Sequence, residues 1–286
     1  MKFFKPDASV FIPDGAAADS AFRGITHLGI GAHQDDLEIM AFHGIQKCFN
    51  RRDLRFGGVT CTNGGGSPRA GEYASYTDEA MAALRRREQE KAAVLGDYGA
   101  LVQLNYTSAE IKDVSTGRLK SDLVQVLRAT RPQVVYTHNP ADKHDTHLAV
   151  VFIALAALRE LAPAERPRTV YGCEVWRGLD WMNDGDKVAL DVGARETLSM
   201  ALIGVYDSQV EGGKRYDLAT LGRRRANASY FQSHATDEAE QLWFAMDLTP
   251  LVADDGLDVT AFVLAHVDRF RASVEEKIKK YWVKTR

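Results

Sequence analysis

The sequence predicts an α/β protein: a Rossmann-like, mostly parallel sheet with helices on both faces. Three observations carry this reading. Short apolar segments of strand length recur along residues 25–161, each is followed by apolar residues repeating at three- and four-residue steps, and the connections between them are short and polar. Strands that alternate with helices return in the same direction, which makes the sheet parallel.

The first unit is a glycine-spaced strand over 25–32 (ITHLGIGA), followed by a polar cluster and a helical pattern at Ile39, Phe42, Ile45 and Phe49. The second pairs a strand over 54–62 with a loop over 63–75 and a helix over 77–95 that stops at Gly96. A third strand over 100–104 precedes a helix over 119–130. Arg131-Pro132 then breaks the chain before a fourth strand over 133–137 and an apolar helix over 147–161. The stretch 169–249 is mixed, with strands expected at 169–176 and 187–191 and helices at 194–206 and 218–231, and no topology follows from it. At the end, Val263, Val267, Phe270, Val274, Ile278 and Tyr281 mark an amphipathic helix, expected to close the domain by packing, with a subunit contact in a homo-oligomer as the alternative. The chain therefore reads as one domain: a core over 24–161, a substrate-side completion over 165–256 and a C-terminal helix over 258–286.

A chain of 286 residues, 45% of them hydrophobic, can bury a full core. Its 36 basic and 39 acidic residues nearly cancel, which argues against nucleic acid or an anionic membrane as partner and for a small polar molecule. Cys48, Cys61 and Cys173 are far apart and form no C-x-x-C pair, so each reads as a buried small hydrophobe. The first twenty residues carry Lys2, Lys5, Asp7, Asp14 and Asp19 and resemble neither a signal peptide nor an anchor. The longest apolar run, 148–158, is too short to span a bilayer, and a cytoplasmic location is expected.

Ligands of open parallel sheets bind at the carboxyl ends of the strands. His33-Gln34-Asp35-Asp36 follows the first strand there, and His33 and Asp36 are spaced to converge on one ion. Asp35 then points elsewhere, and a carboxylate not committed to a metal is free to take a proton. A second cluster, running from His138 to His147, follows the fourth strand. One of its imidazoles would complete a His/Asp/His set with a position left open for water, and another would face the reacting group. Alone, each cluster reads as a helix start with polar neighbours; together they favour a metal site. Nucleotide binding is the rival on the same fold. Gly29-Ile30-Gly31 begins like a dinucleotide fingerprint but lacks the third glycine, where Gln34 stands.

AHQDDLE resembles the AHPDDE signature of the PIG-L/LmbE-like deacetylases, and KHDTHLAV resembles their H-P-D-H-x-A segment. TNGGG, RREQEKAAVLG and Ser208-Gln209 are weaker matches. The resemblance implies a zinc-dependent hydrolase, with other divalent metals possible in the same donors, that removes the acetyl group from an N-acetylated amino sugar or its conjugate. It assigns His33, Asp36 and His147 to the metal, Asp35 as general base, and His144 to the oxyanion or the leaving amine. Substrate contacts are expected from Asn63, Gly64, Arg69, Ser208 and Gln209, and support behind the ligands from Glu38, His138 and Asp145. The chain departs from the pattern at Gln34 in place of proline, at Leu37, which moves the acid to Glu38, and at Thr146 in place of aspartate. A charged partner for the histidines is thereby lost unless Asp145 supplies one. Arg85, Arg86 and Arg87 read as a solvated helix face, with one of them reaching the site as the alternative. A non-catalytic sugar-binding protein and a metal hydrolase of another acyl bond are the alternatives.

Overall fold

The computed structural model describes residues 1–283. In chain order the elements are β1 (Ser9–Phe11), α1 (Ala18–Arg23), β2 (His27–Gly31), α2 (Asp36–Met40), α3 (Phe42–Cys48), β3 (Phe56–Thr62), α4 (Asp78–Leu95) and β4 (Ala100–Tyr106). They continue with α5 (Ser108–Lys112), α6 (Arg118–Thr130), β5 (Val134–His138), α7 (Asp145–Arg159), β6 (Thr169–Cys173), β7 (Val188–Asp191) and α8 (Glu196–Gly204). The last are a single turn, α9 (Asp207–Gln209), then α10 (Tyr216–Ser229), β8 (Leu242–Asp247), α11 (Thr249–Ala253) and α12 (Val259–Tyr281).

Eight strands form one sheet in the order β1-β4-β3-β2-β5-β6-β8-β7. The five central strands, β4-β3-β2-β5-β6, are parallel, and β1, β8 and β7 join antiparallel at the edges. The chain leaves β2 towards β3 on one side and later returns to β5 on the other. The carboxyl ends of β2 and β5 therefore flank the topological switch point, where an open α/β sheet leaves a crevice. No helix among the described residues is long and apolar enough to cross a membrane.

The two faces of the sheet carry separate apolar layers. Leu28 and Ile30 of β2 join Val59, Val102 and Val135 against α6 and α7, while Leu37, Phe42, Ile45, Phe56 and Tyr136 form the opposite layer. Successive strand residues face opposite sides, so Gly29 and Gly31 lie on the face where α2 packs, and they explain the G-I-G spacing without a nucleotide. A Cβ on Gly29 would stand 2.8 Å from Leu37 Cδ2 and 2.9 Å from Phe56 Cζ, and one on Gly58 2.8 Å from Leu37 Cδ1. The glycines open a recess that Leu37 fills. Because Leu37 and Phe56 are themselves fully buried, Gly29→Ala is expected to destabilise the fold by about 1–3 kcal/mol through overpacking. A urea midpoint lowered at unchanged slope would register it; an unchanged midpoint would mean that the recess has slack.

Several elements differ from expectation. The helix anticipated through 39–49 is two helices, broken at Ala41 (φ −105°, ψ 13°). The strand anticipated to residue 176 ends at Cys173, because Glu174 turns to accept hydrogen bonds from the Leu179 N–H and the Arg177 side chain. β1, α1, β8 and α11 were not anticipated. The C-terminal helix forms as expected, but no residue of it is buried, and packing holds only its start. Val259 and Phe262 lean on the core and Arg269 pairs with Asp186, whereas Ile278 and Tyr281 are 58% and 71% exposed. Residues 284–286, included in the expected C-terminal segment, lie outside the described residues.

Candidate metal centre

Adjacent, parallel β2 and β5 bring the two polar clusters together. After Gly31 the chain turns into α2, whose first residue is Asp36 and whose N-cap is Asp35. Asp35 adopts a left-handed backbone (φ 86°), a conformation aspartate tolerates better than most residues but still at some energetic cost. Asp36 Oδ2 accepts the His33 N–H at 2.6 Å, which closes the loop on itself.

From the other strand, the first turn of α7 delivers His147. Its Nε2 lies 3.2 Å from His33 Nδ1 and 3.6 Å from Asp36 Oδ1, and His33 Nδ1 lies 3.4 Å from Asp36 Oδ2. Donors at zinc bond lengths and tetrahedral angles are separated by about 3.3–3.4 Å; His33 and His147 approach different oxygens of Asp36, so the three side chains have the chemistry for one divalent cation and lie near the spacing it would need. Two donor groups, sharing His147, have one ligand atom from each residue mutually close enough for a single metal: His33, His144 and His147, and Asp36, His138 and His147. In the second, His138 Nε2 already accepts the Ala32 N–H at 2.8 Å, so its lone pair is committed to the backbone.

The surroundings favour the ligating forms. Burial, helped by the neighbouring His138, lowers the His147 pKa to about 4 and keeps the ring neutral near pH 7. Burial alone would raise the Asp36 pKa, but the attraction of His147 and His138 and a hydrogen bond from His33 outweigh it and hold the carboxyl well below its usual range. His147 Nδ1 meets Asp142 Oδ2 at 3.1 Å, an outer carboxylate that orients the ring. The same Asp142 accepts the His144 N–H at 2.9 Å. The ring of His138 stacks on His147 with centroids 3.9 Å apart.

Asp35 stands apart from the donors, on the wall of the same cavity. Burial, opposed in part by Arg85 and aided by repulsion from Asp36 and Glu38, raises its pKa well above the usual carboxylate value. Arg85 Nη2 donates to Asp35 Oδ2 at 2.9 Å and to the Gln34 carbonyl at 2.5 Å. The Asp35 N–H donates to Gln89 Oε1 at 3.4 Å, and Gln89 and Tyr98 both donate to Glu38 Oε1, at 2.9 and 2.6 Å. Glu38 thus supports the loop from behind, through Gln89.

The cavity has a volume of about 450 Å³, and His33, Asp35, His144 and His147 line it together with Gln209, Trp176 and Tyr216. His144 sits edge-on to His33, centroids 5.1 Å apart. Other residues singled out from the sequence fall elsewhere. Arg69 donates back into its own loop and to Asp78, so its charge is spent outside the cavity. Asn63 caps the Gly65 N–H and faces a neighbouring cleft, and Gly64 packs against Gln34 and Arg85; from this loop it is Gly66, Ser67 and Pro68 that reach the cavity. Ser208 is buried, donating its N–H and hydroxyl to Glu88 at 2.8 and 2.6 Å. Asp145 is exposed, and Asp142 provides the carboxylate beside His147 that Asp145 was expected to provide, because the loop folds back between residues 139 and 144.

Sequence reasoning missed Arg85, Gln89, Asp142, Trp176 and Tyr216. Arg85, Glu88, Gln89 and Ala92 recur at the i, i+3, i+4, i+7 spacing of one helix face, and all four are buried. Polar residues falling in phase with the Met81 and Ala92 stripe were the available signal.

Fold and side chains together define an α/β protein with a candidate divalent-cation centre at the switch point of its sheet. Residues 28–158 match the PIG-L family model, described as GlcNAc-PI de-N-acetylase. The "Uncharacterized deacetylase YaiS" of Escherichia coli (strain K12) is 28% identical over 160 residues, 52% of this chain and 76% of the relative. Among solved structures, the N,N'-diacetylchitobiose deacetylase from Pyrococcus horikoshii superimposes with a TM-score of 0.58 at 17% identity, covering 81% of this chain and 88% of its own. GalB, the 4-carboxy-2-hydroxymuconate hydratase from Pseudomonas putida KT2440, does so with 0.59 at 16%, covering 78% and 96%. At such identities the structural likeness is one of fold, and the reaction has to be argued from the site.

Proposed function

We propose that the protein is a metal-dependent deacetylase that hydrolyses the acetamide of an N-acetylated amino sugar or its conjugate. The observation that carries this reading is the His33, Asp36 and His147 donor set with a carboxylate outside that set, Asp35, held by Arg85 on the wall of the same cavity. A zinc or related dication in that set supplies Lewis acidity and lowers the pKa of water from about 15.7 to about 7. Asp35 takes a proton from the attacking water, and its raised pKa suits it to return that proton to the departing amine. Arg85 holds the Asp35 carboxylate in place between its turns as base and acid. His144, hydrogen-bonded through its backbone to Asp142, offers its ring to the carbonyl oxygen as charge builds there. The products are acetate and a free amino sugar.

Two features bear on the alternatives. Thr146 made a non-catalytic sugar-binding protein conceivable, but Asp142 provides His147 with the carboxylate that Thr146 cannot. The deacetylase names attached to the family model and to the similar chains favour an amide over another acyl bond. The test is acetate release from a panel of N-acetylglucosamine conjugates by the metal-loaded protein, beside an ester panel. Acetate from at least one N-acetyl sugar, abolished by chelation and restored by zinc, is expected. Stoichiometric bound metal with no acetate from any N-acetyl sugar would overturn the proposal.

A further inference from the structure

Above the metal donors the cavity wall changes character. Lys112, from the end of α5, and Lys214, from the turn before α10, line the same cavity as His33 and Asp35. Lys214 Nζ lies 5.4 Å from the centre of the Trp176 ring, and Lys143 Nζ lies 5.3 Å from the same centre. That indole runs parallel to the His144 ring, 3° between planes and 6.1 Å between centroids.

None of these three lysines forms an ion pair among the described residues; the lysines that do, Lys5, Lys120, Lys187 and Lys279, lie elsewhere. The cavity's own carboxylates are not available to them. Asp35 is paired with Arg85, and Asp36 is turned to the imidazoles. Two ammonium groups near one indole repel each other, and no carboxylate of the described residues stands within ion-pair distance of either. The chain as a whole carries a formal charge of −3, so this cluster is not a by-product of a basic protein. On the Lys112 and Lys214 side of the cavity the unpaired charge is of one sign, which attracts an anion.

We propose that the substrate sugar carries an anionic substituent, a phosphate or a carboxylate, which Lys112 and Lys214 receive while Trp176 lies against the sugar and Lys143 adds to the field. This rests on the deacetylase reading for the acetamide; the anion subsite stands on the lysines alone.

The test compares N-acetylglucosamine 6-phosphate, N-acetylmuramic acid and neutral N-acetylglucosamine on the metal-loaded full chain. Calorimetric binding to Asp35→Asn removes turnover from the question, and wild-type acetate release reports kcat and KM. At least one anionic sugar is expected to bind about tenfold tighter than the neutral one, as two or three screened charge pairs would give. The preference should appear in KM, shrink in high salt and largely vanish in the double variant Lys112→Gln/Lys214→Gln. Which anion is preferred identifies the source as phosphate or carboxylate. Equal binding of all three sugars, or a preference untouched in the double variant, would overturn the anion subsite. Absence of acetate from every sugar would instead overturn the deacetylase reading, leaving the binding comparison to decide the subsite.

Discussion

His147→Ala is expected to purify without its divalent ion and to release acetate at no more than background. The variant removes one of three donors that lie 3.2–3.6 Å apart, and the remaining His33 and Asp36 are neighbours on one turn that cannot enclose a cation. Loss of an outer partner such as Asp142 typically weakens a metal site by about 10–100-fold, and loss of a ligand does more. Two measurements separate this from misfolding: far-UV circular dichroism with thermal melting, and zinc affinity of the companion Asp142→Asn, which should fall between wild type and His147→Ala. If His147→Ala held one zinc per chain with wild-type affinity, the donor set would have to be redrawn around His144 or His138.

Asp35→Asn is expected to keep its metal and lose turnover by about 10²–10⁴-fold, the usual contribution of a general base. The amide is the same size as the carboxyl, and asparagine accepts the left-handed backbone found at this position (φ 86°). The substitution leaves the Arg85 guanidinium without its carboxylate, yet that group keeps the Gln34 carbonyl and the Ser67 hydroxyl as acceptors. The stability loss should therefore be smaller than the roughly 3–5 kcal/mol typical of stranding a buried charge. Metal content, melting temperature and acetate release on one preparation decide the matter. Wild-type turnover in Asp35→Asn would remove Asp35 from the chemistry.

How much of this was readable in advance varied along the chain for physical reasons. The parallel core was legible because β2 to β5 are short apolar runs punctuated by polar turns, and their order allowed the two histidine clusters to be placed at one end of the sheet. β8 was not: Leu242 through Met246 are buried like β3, but a short apolar run reads equally as strand or buried helix, and here no strand-and-helix repeat surrounds it to decide. The second half of α12 misled by the opposite route. Its apolar stripe is well spaced, but periodicity says only that a face exists, not that anything covers it.

In the site, residues adjacent in sequence were easier to assign than those arriving from a distance. His33, Asp35 and Asp36 announce themselves in four consecutive positions. Arg85, which touches Asp35 across fifty residues, looks like one charge in a run of three. Asp142 was passed over for the nearer Asp145 because the fold-back of the loop between residues 139 and 144 leaves no signature in spacing. Arg69 erred the other way: a positive charge beside a glycine-rich loop suggested a ligand, and the loop itself consumes it.

The seating of Leu37 bears on how a cation would enter the candidate site. Wedged over Gly29 and Gly58, it acts as a keel for the turn that bears Asp35 and Asp36, so hydrocarbon contact shapes that turn together with its own hydrogen bonds. On the proposed function, a divalent ion would enter a turn already built, and a chelated sample is expected to retain its native outline and take up zinc without refolding.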